Sequence, residues 1–341
     1  MRKSKSRLRI RISFIIVFVL LSGCRNIIIL IRTAPLTEDV YFQSYSDKSL
    51  ETTIYKYDIQ TKTVQEVGRV SGYFHNCVID SGKKYITGVR SSFFPIQISD
   101  SESDLEFGVV RFSLENNTLE LLRSEEQLSI GKEESIVWNY SFPYGDGNKI
   151  CICYKGQETH YILYDLKTGN AKRMDLLETR RRVCGIWDNH IWYLTKRGLM
   201  CYHMKTHERK ELLKGISWCS VSDNGRKAAC FKKDAKRIYL YDIARQKKQC
   251  ILKAGWNRVF ESNSLYALGW DKNGNYCYYI EHFVELFQSS DIRIKIYNLQ
   301  TKKSTCIYLH RNAPASTAYE FIRNTDESGG AQIGFGGGNE W

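Results

Sequence analysis

Hydrophobic and polar residues alternate in short runs along most of the chain beyond residue 38. One unit recurs six times: an alternating run that ends in an aromatic and a polar residue, a turn rich in Thr, Lys, Gly or Asn, and a second run. The polar residues that end the first run are Asp58, Ser113, Asp165, His203, Asp242 and Asn298. A period of two is typical of strands that bury one face. Each copy therefore predicts two strands joined by a tight turn.

A second unit alternates with the first and also consists of two runs around a short turn. Its turns are Asp80–Lys83, Asp146–Lys149, Asp223–Arg226 and Asp271–Gly274, with a weaker one at 188–190. Asp and Asn cap such turns, and Gly accepts positive φ. Together the two units give four strands per repeat. The polar positions of the first unit are 55, 52, 38, 39 and 56 residues apart, close to the period of a propeller blade with loop insertions.

Over about residues 38–325 this pattern resembles the WD40-like and TolB-type propellers of bacterial exported proteins. The resemblance implies a fold and leaves the function open. Six copies predict an all-β, six-bladed β-propeller whose first blade lacks an inner strand. Ala318–Arg323 is one more strand candidate, and we expect it to complete the first blade, because closing the ring removes the open strand edges. The Gly-rich residues 326–341 predict a flexible tail.

The start of the chain predicts export. Basic Met1–Arg11 precedes the apolar run Ile12–Leu21 and then Leu21-Ser-Gly-Cys24, which resembles the bacterial lipobox. The resemblance implies a signal peptide over 1–24, a lipid on Cys24 and a tether over 25–37. The alternative is one uncleaved anchor helix, Ile12–Ile31, although Arg25 within it is costly at a helix centre. Both place the body on the outer face of the cell membrane.

Charge and cysteine usage narrow the class of partner. Residues 1–32 carry 8 basic residues and no acid, so the rest of the chain contributes only +5 of the formal net charge of +13. Bulk charge therefore does not indicate a nucleic-acid partner.

The ten further cysteines are scattered about once per strand, which favours a role as small buried hydrophobic side chains. One or two disulfides remain open, and their pairing is not readable from sequence.

Loops on one face of the predicted propeller are the candidate binding surface. With the strands of each blade labelled a to d from the channel outward, the short a–b and c–d turns share one face. The b–c and d–a loops share the other face, and all the long insertions are of this kind. Residues 38–135 have a net charge of −7 and residues 167–258 of +15. The candidates on the loop side are Arg180, Arg181, Arg182, Lys232, Lys233, Arg237, Trp256 and Arg258. They form either a solvated charged rim or an acceptor surface for an anionic partner.

Catalytic signatures are absent from the sequence, which has no GxSxG, HExxH, P-loop or GxGxxG motif. No cofactor or metal is predicted: His203 and His207 fall around a strand and turn, and the repeated Asp58, Asp165 and Asp242 are expected to cap turns. His75 and His282 fall near the loop side. The leading hypothesis is a membrane-tethered binding module for a protein or an anionic envelope polymer. The alternative is a propeller hydrolase or lyase acting on carbohydrate or a cell-wall-derived substrate, with carboxylates at the channel mouth.

Overall fold

The computed structural model describes residues 36–46, 49–91, 107–130, 135–136, 142–143, 149–155, 159–174, 182–187, 189–222, 224–232, 236–253, 262–284, 290–313 and 317–324. All regular structure in these ranges is β-strand. Across the same ranges no helix is long and apolar enough to cross a bilayer. The predicted signal, anchor and tether, including Cys24, and the Gly-rich tail lie outside or at the margins of these ranges.

The described strands form five hydrogen-bonded sheets, and the eight-stranded one consists of two blades joined by the pairing of β25 with β4. The fold therefore has six blades, which confirms the predicted six-bladed propeller. The first strands of the chain are the three outer strands of blade 1: β1 (Val40–Ser46), β2 (Glu51–Asp58) and β3 (Thr63–Ser71). Blade 2 follows with β4 (Tyr73–Ile79), β5 (Tyr85–Ser91), β6 (Gly108–Ser113) and β7 (Leu119–Ser124). Blade 3 has a divided inner strand, β8 (Ser135–Ile136) and β9 (Phe142–Pro143), and then β10 (Lys149–Lys155), β11 (Thr159–Asp165) and β12 (Ala171–Met174).

Blades 4 to 6 each have four strands that follow one another along the chain from the innermost to the outermost. Blade 4 comprises β13 (Arg182–Trp187), β14 (His190–Leu194), β15 (Gly198–His203) and β16 (Arg209–Lys214). Blade 5 comprises β17 (Trp218–Val221), β18 (Lys227–Phe231), β19 (Arg237–Asp242) and β20 (Lys247–Lys253). Blade 6 comprises β21 (Ser262–Trp270), β22 (Tyr276–Val284), β23 (Ser290–Asn298) and β24 (Lys303–Ala313), and the last described strand is β25 (Ala318–Asn324).

The last strand closes the ring, as the sequence predicted. β25 pairs antiparallel with β1, from Tyr41↔Ile322 to Tyr45↔Ala318, and so becomes the innermost strand of blade 1. It also pairs in parallel with β4 at Arg323↔Val78 and Asn324↔Ile79. Blade 1 is thus made of three strands from the start of the chain and one from its end.

The core is a ring of apolar clusters between neighbouring blades, because every sheet buries both of its faces. Blades 1 and 2 meet around Phe74 and Phe112, blades 2 and 3 around Ile150 and Ile152, and blades 3 and 4 around Tyr193. Further clusters join blades 4 and 5, 5 and 6, and 6 and 1. The buried cysteines belong to these clusters and pack as small apolar side chains there: Cys77, Cys151, Cys153, Cys184, Cys219, Cys230 and Cys277.

The repeated polar position caps the c–d turn of every blade. The Oδ1 of Asp58 accepts hydrogen bonds from the backbone N–H groups of Gln60 and Thr61, both at 2.9 Å. The equivalent acceptors in blades 2 to 6 are Ser113, Asp165, His203, Asp242 and Asn298. The structural role expected for the three repeated aspartates is therefore confirmed.

Each c–d turn also has a left-handed residue four positions after its cap. These residues are Lys62, Asn117, Gly169, His207, Gln246 and Lys302, with φ between 53° and 70°. Only blade 3 uses glycine, which adopts this conformation without steric cost. The other five blades accept strain to keep the same turn.

Candidate functional site

The directions of the strands define two faces of the propeller. The turn face has the a–b and c–d turns; the loop face has the b–c and d–a loops. The chain enters β1 on the turn face, where the Oε1 of Glu38 accepts a hydrogen bond from the N–H of Lys272 in the a–b turn of blade 6, at 3.2 Å. Asp39 pairs there with Lys56 at 2.9 Å and with Lys83 at 3.7 Å. The start of the propeller is therefore fixed to the face opposite the loops.

A set of basic residues lies at the loop ends of the strands of blades 4 and 5, and we call it the basic rim. Its described members are Arg182, Lys196, Arg197, Lys214, Lys232, Lys236, Arg237 and Lys253. Arg197, Lys214, Lys232, Arg237 and Lys253 are exposed. Lys214 of the rim lies 3.7 Å from Glu211.

Three of the predicted candidates fall in this rim, with a small correction to their setting. Lys232 lies in the b–c loop of blade 5, but Arg237 is the first residue of β19 and Arg182 the first of β13, so both begin strands rather than lying in loops. Arg180, Arg181, Lys233, Trp256 and Arg258 lie outside the described residues.

Two members of the rim were missed in the sequence. Lys214 and Lys253 are the last residues of the outer strands β16 and β20, and they reach the loop face because each outer strand runs away from its c–d turn. The sequence contained the information needed to place these two lysines, because the c–d turns had been recognised. Their position follows from counting one strand beyond each turn.

The two charged halves of the chain lie on opposite sides of the ring. Among the described residues, blades 1 and 2 (38–46, 49–91 and 107–130) contain 8 basic and 10 acidic residues, whereas blades 4 and 5 (182–187, 189–222, 224–232 and 236–253) contain 16 basic and 3 acidic residues. In a closed ring of six blades, blade 1 faces blade 4 and blade 2 faces blade 5 across the channel. The propeller therefore has a charge gradient across its diameter.

A buried polar group lies between the inner strands of blades 1 and 2, towards the loop face. The Nε2 of Gln43 donates to the carbonyl oxygen of Phe74 at 2.5 Å and to the Oε2 of Glu320 at 3.1 Å. The thiol of Cys77 donates to the Oε1 of Gln43 at 3.3 Å. Gln43 thus joins β1, β4 and β25, the three strands that meet where the ring closes.

Two aromatic residues of β4 complete this group. Tyr73 stacks on His75 with ring centroids 5.0 Å apart. Both side chains are buried, and His75 is 0% exposed. Burial lowers the pKa of His75 to about 3. Burial, with a smaller effect of the Glu320 charge, raises the pKa of Tyr73 and that of the Cys77 thiol well above their ordinary values. All three groups are therefore neutral at physiological pH.

The other histidines singled out in the sequence have structural contacts. The Nδ1 of His203 accepts from the N–H of Thr206 at 3.1 Å, and the Nδ1 of His207 lies 2.6 Å from the Tyr202 hydroxyl. His282 lies near the loop end of β22, and burial lowers its pKa. Within the part of the chain that the structure describes, no cluster of three His, Cys, Asp or Glu side chains is arranged to hold a metal ion.

The fold and this loop face define an all-β protein of the six-bladed β-propeller class. Its structure is similar to that of TolB from Acinetobacter baumannii, with a TM-score of 0.57 and 12% sequence identity over 85% of this chain and 68% of that chain. It is also similar to a putative TolB from Agrobacterium tumefaciens, with a TM-score of 0.54 and 11% identity over 84% of this chain and 98% of that chain. At such identities the likeness shows the fold alone. No family model matches the sequence, and no curated protein matches it.

Proposed function

We propose that this propeller is a membrane-tethered binding module outside the cytoplasm, and that its basic rim holds an acidic polymer or an acidic protein surface of the cell envelope. The observation that carries the proposal is the concentration of one sign of charge at one place. Eight basic residues lie at the loop ends of the strands of two adjacent blades, and Lys214 among them pairs with Glu211. Clustered exposed cations attract a polyanion cooperatively, and isolated pairs do not.

The path of the chain supports an outward-facing rim. The chain enters β1 on the turn face, next to the a–b turns of blades 2 and 6. A tether attached at Cys24, or an anchor ending near Ile31, would therefore hold the turn face towards the bilayer. The loop face would then point away from the membrane, which favours a polymer or protein partner over the headgroups of the protein's own membrane.

The test is binding of the full-length protein in detergent to polyglutamate and polyphosphate at low salt. The double variant Lys232→Ser/Arg237→Ser removes two rim cations from blade 5. Each cation near an anionic surface contributes about 1 kcal/mol, so we expect affinity to fall about 30-fold. The matched control is Lys205→Ser/Arg226→Ser, which removes the same charges from the turn face of blades 4 and 5.

The comparison between the two variants decides the outcome. The rim variant should bind more weakly and with a shallower salt dependence, while the control keeps most of the wild-type affinity. Equal losses in both variants would mean that only net charge matters, and the rim would then be a solvated surface. Phosphatidylglycerol vesicles added as a third probe separate a lipid partner from a polymer, since preference for vesicles would contradict the outward orientation.

Glycoside hydrolysis of the usual kind would need two carboxylates close together. On the inner strands that the structure describes, the one carboxylate is Glu320, and it is hydrogen-bonded to Gln43 at 3.1 Å. The described inner strands therefore offer no such pair, and the basic rim leads us to propose binding.

A further inference from the structure

Three buried thiols meet between blades 4 and 5: Cys184 of β13, Cys219 of β17 and Cys230 of β18. Each is at most 2% exposed. The thiol of Cys230 donates to the Sγ of Cys219 at a distance of 3.1 Å, and Cys219 also shares a hydrogen bond with Cys184. Cys219 is therefore the central thiol of the group.

The register of blade 5 sets Cys219 and Cys230 directly opposite each other on adjacent antiparallel strands. Ser222 donates its N–H to the carbonyl of Lys227 at 2.9 Å, which makes 222/227 a hydrogen-bonded pair. Hydrogen-bonded and non-hydrogen-bonded pairs alternate along the ladder, so 219/230 is a non-hydrogen-bonded pair, with Cα atoms about 4.5 Å apart. That separation lies within the range that a disulfide spans, about 4.4–6.8 Å. In the described strands no other two cysteines are directly opposed.

We propose that Cys219 and Cys230 form a cross-strand disulfide in the mature protein. Cys184 lies on the neighbouring blade, beside an irregularity in the β13–β14 register, and it remains a thiol. The bond would fix the end of β18 two residues before Lys232, and so would hold the start of the loop that carries part of the basic rim.

The oxidant is a disulfide, either of a thiol–disulfide oxidoreductase or of a small molecule such as glutathione disulfide. One cysteine thiolate attacks it to form a mixed disulfide, and the second thiolate displaces the oxidant's remaining thiol. The two cysteines lose two protons and two electrons, and the oxidant's disulfide becomes two thiols. Burial raises the pKa of Cys219 well above its ordinary value, so the exchange takes place before blades 4 and 5 pack.

The test is oxidative refolding of the full-length, reduced protein in a mixture of glutathione and glutathione disulfide, with detergent present. The refolded protein is then unfolded in denaturant, where every free thiol is accessible to the alkylating reagent, and the digested protein is analysed by mass spectrometry. We expect a linked pair of peptides containing Cys219 and Cys230. The internal control is Cys151 and Cys153, which lie two apart on one strand and point to the same face, so that their Cβ atoms are about 6.6 Å apart. The Cβ atoms of a disulfide are only about 3.5–4.5 Å apart, so this pair cannot be bridged. Both should be alkylated completely.

Three outcomes separate the possibilities. A Cys219–Cys230 link in the refolded fraction, retained in the Cys184→Ala variant, supports the proposal. Complete alkylation of Cys219 and Cys230 in protein that has regained its near-UV spectrum overturns it, and so does a Cys184–Cys219 link in the wild type. The refolding is carried out in vitro, so its result does not depend on the proposed location or on the binding of polyanions by the rim.

Discussion

His75 should make the propeller sensitive to mild acid. Its side chain is wholly buried between blades 1 and 2, stacked on Tyr73, and burial lowers its pKa from 6.5 to about 3. Above pH 6.5 the imidazole is neutral in both the folded and the unfolded chain, and the free energy of unfolding does not change. Below pH 6.5 the unfolded chain takes up a proton that the folded state does not. Stability is therefore lost as the pH falls from 6.5 towards 3.

The size of the effect follows from the two pKa values. The pKa of His75 is 6.5 in the unfolded chain and about 3 in the folded protein. This difference lowers the free energy of unfolding by about 2 kcal/mol at pH 5 relative to pH 8. Burial lowers the pKa of His282 and His310 as well, so the wild type should lose somewhat more in total. A single-residue variant isolates the contribution of His75.

The assay is urea unfolding of the full-length protein in detergent at pH 8 and pH 5, followed by tryptophan fluorescence. His75→Gln removes the titrating ring, and its own packing cost cancels when the two pH values are compared within one variant. We expect the pH-dependent loss to shrink by about 2 kcal/mol in His75→Gln and to persist in His207→Asn, a control in an exposed turn. If His75→Gln and the wild type lose the same amount between pH 8 and pH 5, the reasoning is refuted.

Three further predictions concern the turns and the ring. Gln246→Gly should raise the free energy of unfolding by about 0.5–1 kcal/mol in denaturant titrations, because φ is 53° there; Gln249→Gly, in β20, should lower it. Gly225→Ala should cost about 1–3 kcal/mol more than Gly215→Ala, since its added Cβ would lie 2.6 Å from Trp187 while that of Gly215 meets nothing; equal costs would contradict the clash. A chain truncated after residue 317 lacks β25, the strand that closes the ring, and should lose cooperative thermal unfolding. A chain truncated after residue 325 keeps β25 and should retain it.

The blades and their closure were predictable because both depend on local patterns. Alternation, turn residues and spacing predict six blades, and a blade without an inner strand requires a late one. The shared role of Asp58 and His203 was also visible, since both end the same run. The contact of Gln43 with Glu320 was not, because the two residues are 277 positions apart and only ring closure brings them together. Predicting that Cys219 and Cys230 lie opposite each other would have required the register of the β17–β18 hairpin, and the spacing of turns along the sequence does not determine that register.

Closure by β25 has a consequence for the order in which the molecule becomes stable. β1 is made before the other strands of the propeller but has no inner neighbour until Ala318–Asn324 has been synthesised. The inner edge of β1 therefore stays unpaired until the rest of the propeller has been made. In a nascent or truncated molecule this edge can pair with strands of other molecules. A propeller closed in this way is complete only when β25 has paired with β1, so folding chaperones and quality-control proteases would act on it after that strand has been made.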